Sequence, residues 1–134
     1  MRSKPVISQT DVQTILSACA DEASRQGWAV SISVVDDGGH PLGFTRLDGA
    51  APASSYISTE KARAAALGRR ETKLYEEMIN GGRTAFLSAG VLGALEGGVP
   101  ILVEGAVVGA VGVSGAKPDQ DAAVAKAGVG SHAG

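Results

Sequence analysis

The stretch WAVSISVVDDGGHPLGFTRLD, residues 28–48, holds two alternating runs on either side of a glycine turn. In an extended chain Trp28, Val30, Ile32 and Val34 fall on one side, and Ala29, Ser31, Ser33 and Val35 on the other. This reads as a strand over Trp28–Asp36 with one apolar and one mixed face. Asp37-Gly38-Gly39-His40 supplies the residue types a hairpin turn needs, because glycine accepts positive φ without steric cost. A second strand follows over Pro41–Asp48, with Leu42, Phe44, Arg46 and Asp48 on one face and Gly43, Thr45 and Leu47 on the other. Arg46 and Asp48 thus become neighbours at a strand end, the first pair with chemistry in it.

Upstream, Ser8 is an N-cap with Asp11 three residues on. Val12, Ile15, Leu16, Cys19, Ala20 and Ala23 repeat at helical spacing, and Gly27 closes the helix. Cys19 lies inside that stripe and reads as a small buried hydrophobe. Downstream, Pro52, Ser54 and Ser55 open a second helix that runs through Lys61 and an alanine-rich stretch to Leu67, stopping near Gly68. Its small side chains predict close packing on a neighbour. Thr72 can cap a third helix with Leu74, Tyr75, Met78 and Ile79, ended by Gly81-Gly82. Residues 83–98 are punctuated by glycine and carry no periodicity. Val99–Val103 and Ala106–Ser114 form a second hairpin around Glu104-Gly105, and Gly109 and Gly112 mark close approach by a backbone or a ligand. Asp119 can cap a last helix reaching Ala127, and the tail from Gly128 reads as frayed. Helix, hairpin, helices, hairpin, helix is an α+β pattern without an internal repeat, read as one domain over 1–134 with its core about 8–129.

The 134-residue chain carries 12 basic and 14 acidic residues, a net charge of −2, and five aromatic residues. That balance excludes the basic footprint of a nucleic-acid binder and the stacking platforms of a single-strand binder. Apolar runs of about ten residues fall short of the ~20 a membrane span requires. The N-terminal Met1–Ser8 lacks the apolar segment of a secretory signal, so a cytoplasmic location is expected. Cys19 stands alone, and no Cys/His cluster has metal-site spacing.

Gly109-Ala-Val-Gly-Val-Ser-Gly115 invites two motif readings and fits neither. A phosphate loop requires Ser or Thr after its lysine, and Lys117 is followed by Pro118. A nucleophile elbow at Ser114 requires its second glycine at position 116, which is alanine. What survives is a glycine loop beside a helix start, whose N–H groups suit a carboxylate or phosphate, or serve only a tight turn. His40 sits in the hairpin turn. Arg46 and Asp48 are a surface ion pair or a binding pair, and Lys61 is a surface lysine or a buried one.

Taken together, these segments resemble the haem-binding-protein-S-like and glycolate-operon-protein-like domains, also found at the C-terminus of some corrinoid adenosyltransferases. Four stretches carry the resemblance: Val34–Asp36 through Gly39 to Arg46-Leu47-Asp48-Gly49-Ala50; Ser58–Ala66 around Lys61-Ala62; Gly97-Gly98-Val99-Pro100-Ile101; and Gly109–Gly115 with Gln120-Asp121 beyond. The sequence departs at Leu47, where methionine is common, at Ala116, where glycine is common, and at Arg69-Arg70-Glu71, where Arg-Pro is common. The resemblance implies a profilin-like fold, a five-stranded antiparallel sheet with helices on its faces, assembling as dimers to octamers. It also implies an intersubunit pocket, placed here at Arg46, Asp48, Lys61, Gly98, Val99, Pro100, Gly112, Ser114 and Gly115, with His40 and Asp121 as further ligand contacts. Three functions follow from it. The first is binding of haem or a comparable small molecule, with His40, Met78, Tyr56 and Tyr75 as axial candidates. The second is an enzyme of small-metabolite catabolism, of isomerase, lyase or ring-opening type. There Arg46 would clamp a carboxylate, Asp48 would move a proton and Lys61 would steady an enolate or form a Schiff base. The third is an oligomeric scaffold or accessory subunit.

Overall fold

The computed structural model describes residues 1–132. Helix α1 spans Gln9–Gln26 and matches its sequence signals residue by residue. The Ser8 hydroxyl accepts from the Asp11 N–H at 3.1 Å, and the Asp11 carboxylate accepts from the Ser8 N–H at 2.8 Å, a reciprocal capping box. Gly27 ends the helix at φ 78°, where a side chain would be strained. Val12, Ile15, Leu16, Cys19 and Ala23 form its buried stripe.

The sheet consists of β1 (Ser31–Asp36), β2 (Pro41–Arg46), β3 (Gly98–Val103) and β4 (Ala106–Ser114), in the order β2-β1-β4-β3 and antiparallel throughout. The five-stranded expectation is thereby corrected to four strands among the described residues. No alternating segment is left to supply a fifth. Residues 83–97 instead hold a 3-10 helix at Thr84–Ala89 and turns at Gly90, Gly93 and Gly97, all at positive φ. Strand β1 starts at Ser31 rather than Trp28. Strand β2 stops at Arg46, because Leu47-Asp48-Gly49 turns away, with Gly49 at φ 88°.

Alternation assigns the two faces. Ile32, Val34, Val111 and Val113 point toward α1 and α4 (Pro118–His132), where they pack with Ile15, Leu16, Cys19 and Val124. Val35 and Ala110 point the other way, onto Ala62, Ala65 and Ala66 of α2 (Ala53–Gly68). Helices on both faces sandwich the sheet.

The glycines of the sheet make room for α2. A Cβ at Gly112 would overlap the Ser58 carbonyl and the Ala62 nitrogen, and one at Gly98 would overlap the Lys61 carbonyl. Gly98 and Gly112 are paired across β3 and β4, so the helix backbone rests directly on a two-glycine gap. A hydroxyl ladder seals the other edge of that contact. Ser31 bonds Ser54 at 2.8 Å, and Ser33 bonds Ser58 at 3.0 Å and Thr59 at 2.9 Å. Helix α2 stays helical through Gly68, where a Cβ would collide with the Tyr75 hydroxyl, so Arg69 takes the left-handed cap at φ 58°. Thr72 is not a cap but the first residue of α3 (Thr72–Asn80), fully buried, its hydroxyl accepting from the Gly98 N–H at 2.8 Å.

Helix α4 also outruns its sequence reading. It starts at Pro118, before Asp119, and continues through Gly128, where fraying was expected, to His132. A Cβ at Gly128 would strike Cys19 Sγ, so that glycine is where α4 presses onto α1. The last two residues of the expected loose tail lie outside the described residues.

Candidate functional site

Lys61 is a core residue. Its ammonium, 4% exposed, donates to the Asp121 carboxylate at 3.1 Å and to the Val113 carbonyl at 2.9 Å. Asp121, 3% exposed, accepts from the Ala116 N–H at 3.0 Å through its other oxygen. Burial pushes the Asp121 carboxyl up, against the opposing pull of Lys61 and the Ala116 N–H. The pair fastens α2 to β4 and to the start of α4. Gly97 belongs to the same unit, since a Cβ there would lie 2.7 Å from Lys61 Nζ. Sequence reasoning named Lys61 and Asp121 separately and missed their pairing. The available signal was a lysine and an aspartate on two alanine-rich helices, each among other charged residues.

The glycine loop after β4 has its N–H groups filled from within. Ala116 donates to Asp121, and Lys117 donates to the Gln120 side chain at 3.1 Å. Gly115 is exposed, at φ 130°, and a Cβ there would press on the Ala29 carbonyl at 2.6 Å. Val99 packs into the core on the α1 face, and Pro100 is half-buried opposite Ala110.

Arg46 ends β2 with an exposed side chain, its guanidinium donating to the Ala50 carbonyl from Nε at 3.3 Å and Nη2 at 3.1 Å. Asp48 is exposed in the turn beyond the strand, so the expected pairing of the two along one strand face does not form. Opposite Arg46 on β1 stands Ser31, and opposite Ser31 on β4 stands Ser114.

At the far end of the same hairpin, His40 is held by Asp36. Its Nδ1 lies 3.0 Å from Asp36 Oδ1, the side chain 78% exposed, and that oxygen also accepts the Gly38 and His40 N–H groups at 2.9 Å each. Slight burial raises the Asp36 carboxyl, but these donors outweigh it and hold the group below its usual range. With Nδ1 on a carboxylate, the ring presents Nε2 outward. The turn lies against α2, since a Cβ at Gly39 would meet Arg63 Cγ at 3.5 Å and Leu67 Cγ at 3.6 Å. Arg63 and Leu67 also border a cavity of about 280 Å³ shared with Tyr75 and Leu92. Of the other axial candidates, Tyr56 is exposed, Met78 is half-buried, and Tyr75 is buried and stacked on Phe86 at 5.1 Å between ring centroids. Among the described residues no group of three metal-ligating side chains assembles, and no helix is long and apolar enough to cross a membrane.

Protein GlcG of Escherichia coli (strain K12) is 58% identical over 114 residues, 85% of either chain. The crystal structure of HbpS is 30% identical and superposes with a TM-score of 0.85, covering 97% of this chain and 92% of that one. The PduOC:heme complex superposes at 0.86 over 95% of both chains with 23% identity, a likeness of fold alone. The family model described as "Haem degrading protein HbpS-like" matches residues 7–130, and with those relatives it establishes that the chain belongs to the HbpS-like family.

Proposed function

We propose that this protein binds haem or a comparable flat small molecule, as a homo-oligomer. Membership of the HbpS-like family over residues 7–130 is the observation that carries the reading. The disposition of Lys61 tells against its use on an enolate or in a Schiff base, because an ammonium sealed against Asp121 and a carbonyl is not free to meet a substrate.

The residues present fit haem at the hairpin turn. His40, oriented through Nδ1 by Asp36, would hold the iron through Nε2, the arrangement that fixes ligating histidines elsewhere. Leu67 beside it is 58% exposed and offers apolar surface to a ring. Arg63, paired with Glu60 through Nη1, and Arg69, whose Nη1 donates to the Asp37 and Ala66 carbonyls, would turn their remaining N–H groups to carboxylate groups at its rim. Bound haem would supply the iron chemistry, and the protein would supply orientation and exclusion of water. A cavity of about 280 Å³ is below the ~300–1,000 Å³ usual for ligand sites, so a second copy completes the pocket in this reading.

Titration of haemin tests this. A saturable Soret shift with fixed stoichiometry is expected, and His40→Ala should change the band position or weaken binding at least tenfold. A nonsaturating response equal to that of an unrelated protein would end the haem reading. Unchanged binding by His40→Ala would remove only His40.

A further inference from the structure

We infer that the hollow between α2, α3 and the loop after the 3-10 helix is a binding site for a short, uncharged carbonyl compound, with the Tyr75 hydroxyl as its hydrogen-bond donor. The inference goes beyond the haem reading, since it rests on another group and another class of ligand.

Its first support is a hydroxyl without a partner. Tyr75 is 7% exposed, yet its Oη makes no hydrogen bond among the described residues. A buried phenol ordinarily finds a partner for that group. The oxygen is not sealed in the core, because no fully buried side-chain oxygen there is orphaned. Gly68 and Tyr75 stand together in the wall of the cavity of about 280 Å³. An added Gly68 Cβ would meet the hydroxyl and the two ring carbons nearest it, so the hydroxyl end of the ring is the part that reaches this wall. The local sequence leaves room for it. Gly68 would suit the left-handed end of α2, but it stays helical beside the hydroxyl, and Arg69 takes that conformation at φ 58° instead.

The surroundings set the class of ligand. Phe86 stacks on the Tyr75 ring, and the Arg70 guanidinium lies over that ring, 5.4 Å from its centroid. A cation there draws charge from the ring and makes the phenol a better donor than acceptor, which favours an oxygen acceptor in the ligand. Ala64, Leu67, Val91 and Leu92 give the cavity apolar walls. Its two charged residues, Glu60 and Arg63, are paired with each other at 3.1 Å, so no net charge is left to hold an anion. At about 30 Å³ for each water-sized group, the space takes a molecule of fewer than about ten non-hydrogen atoms. A small ketone or aldehyde, apolar but for one oxygen, matches all of this. Its carbonyl would accept from Tyr75 Oη, and its carbon frame would lie against the leucines.

The experiment is a titration of the full chain with cyclopentanone, followed by ¹H–¹⁵N NMR, with cyclopentane and sodium butyrate as parallel arms. Saturable shifts are expected at the amides of Gly68, Gly90 and Leu92, with cyclopentanone bound more tightly than either comparison molecule. Tyr75→Phe keeps the ring and its stacking on Phe86. It should weaken cyclopentanone about fivefold, the loss of one neutral hydrogen bond, and leave cyclopentane unchanged. Shifts that stay linear without saturation would overturn the site. Full affinity for cyclopentanone in Tyr75→Phe, or cyclopentane bound by the native chain as tightly as cyclopentanone, would overturn the role of the hydroxyl. The second of these comparisons holds even if the variant fails to fold. Butyrate bound more tightly than cyclopentanone would overturn the uncharged class. No arm contains haemin, so failure here and failure of the haem reading are separable.

Discussion

Lys61 and Asp121 are together where water is excluded, and each is tolerable only because the other is there. Removing one partner of such a pair typically costs about 3–5 kcal/mol, because the remaining charge stays buried. Lys61→Met should therefore lower stability by about that much in urea unfolding. The double variant Lys61→Met/Asp121→Asn should recover much of the loss, since asparagine carries no charge and can still accept from the Ala116 N–H. A single variant within about 0.5 kcal/mol of the native chain would contradict the buried pairing. Cys19 makes a second test at this scale. Burial pushes its thiol up to about 12, against a smaller opposing hydrogen bond at Gly128. A thiol raised from 9.0 in the unfolded chain contributes stability that is whole below pH 9 and lost as pH rises toward 12. At pH 8 a disulfide reagent should label Cys19 only as fast as the protein opens. Rapid labelling of the folded chain would show the α1–α4 contact to be loose.

At the scale of elements, the seat of α2 on Gly98 and Gly112 decides how near the helix comes to the sheet. Gly112→Ala forces a methyl into the backbone of Ser58 and Ala62 and should destabilise by about 1–3 kcal/mol or more. Gly130, in α4 with nothing within 4 Å of its added Cβ, is the internal control. Gly130→Ala should be neutral or stabilise by up to about 1 kcal/mol, because alanine loses less entropy in a helix. Equal losses at both positions in thermal unfolding would contradict the account of α2. The elements themselves were largely legible. The Ser8–Asp11 box, the alternation before Asp36 and the Glu104-Gly105 turn are local signals, and each structure they announce is present. Partners distant in sequence were not legible. Nothing near Gly112 says that its open side meets a helix, and nothing near Gly128 says that α1 fills the space of its missing side chain. At Gly128 local composition suggests fraying where packing is tightest, whereas at Gly112 the close approach itself was legible and only its partner was not. The ends of β1 and β2 were misread for a related reason: alternation continues past the point where a turn ends the pairing.

At the scale of the whole molecule, the order β2-β1-β4-β3 joins sequence-distant strands and makes two ends with different chemistry. One end presents an imidazole oriented by Asp36 beside exposed leucine. The other presents Arg46 and Ser114 beside the uncapped start of α2. The residue types at these ends were readable from the sequence, but their grouping was not, because it depends on strand register and on which face α2 covers. Arg46 and Asp48 seemed one pair by spacing, yet register pairs Arg46 with Ser31 instead. The proposed pocket also requires more than one copy. Light scattering should find a mass of two or more times 13.4 kDa, and a monomer that still binds haem would remove the shared-pocket part of the proposal. The most direct test of the account remains haemin titrated into the native chain and into His40→Ala, followed at the Soret band. The account predicts a saturable shift at fixed stoichiometry that His40→Ala weakens at least tenfold or moves in wavelength. An unsaturated response identical to that of an unrelated protein would contradict it.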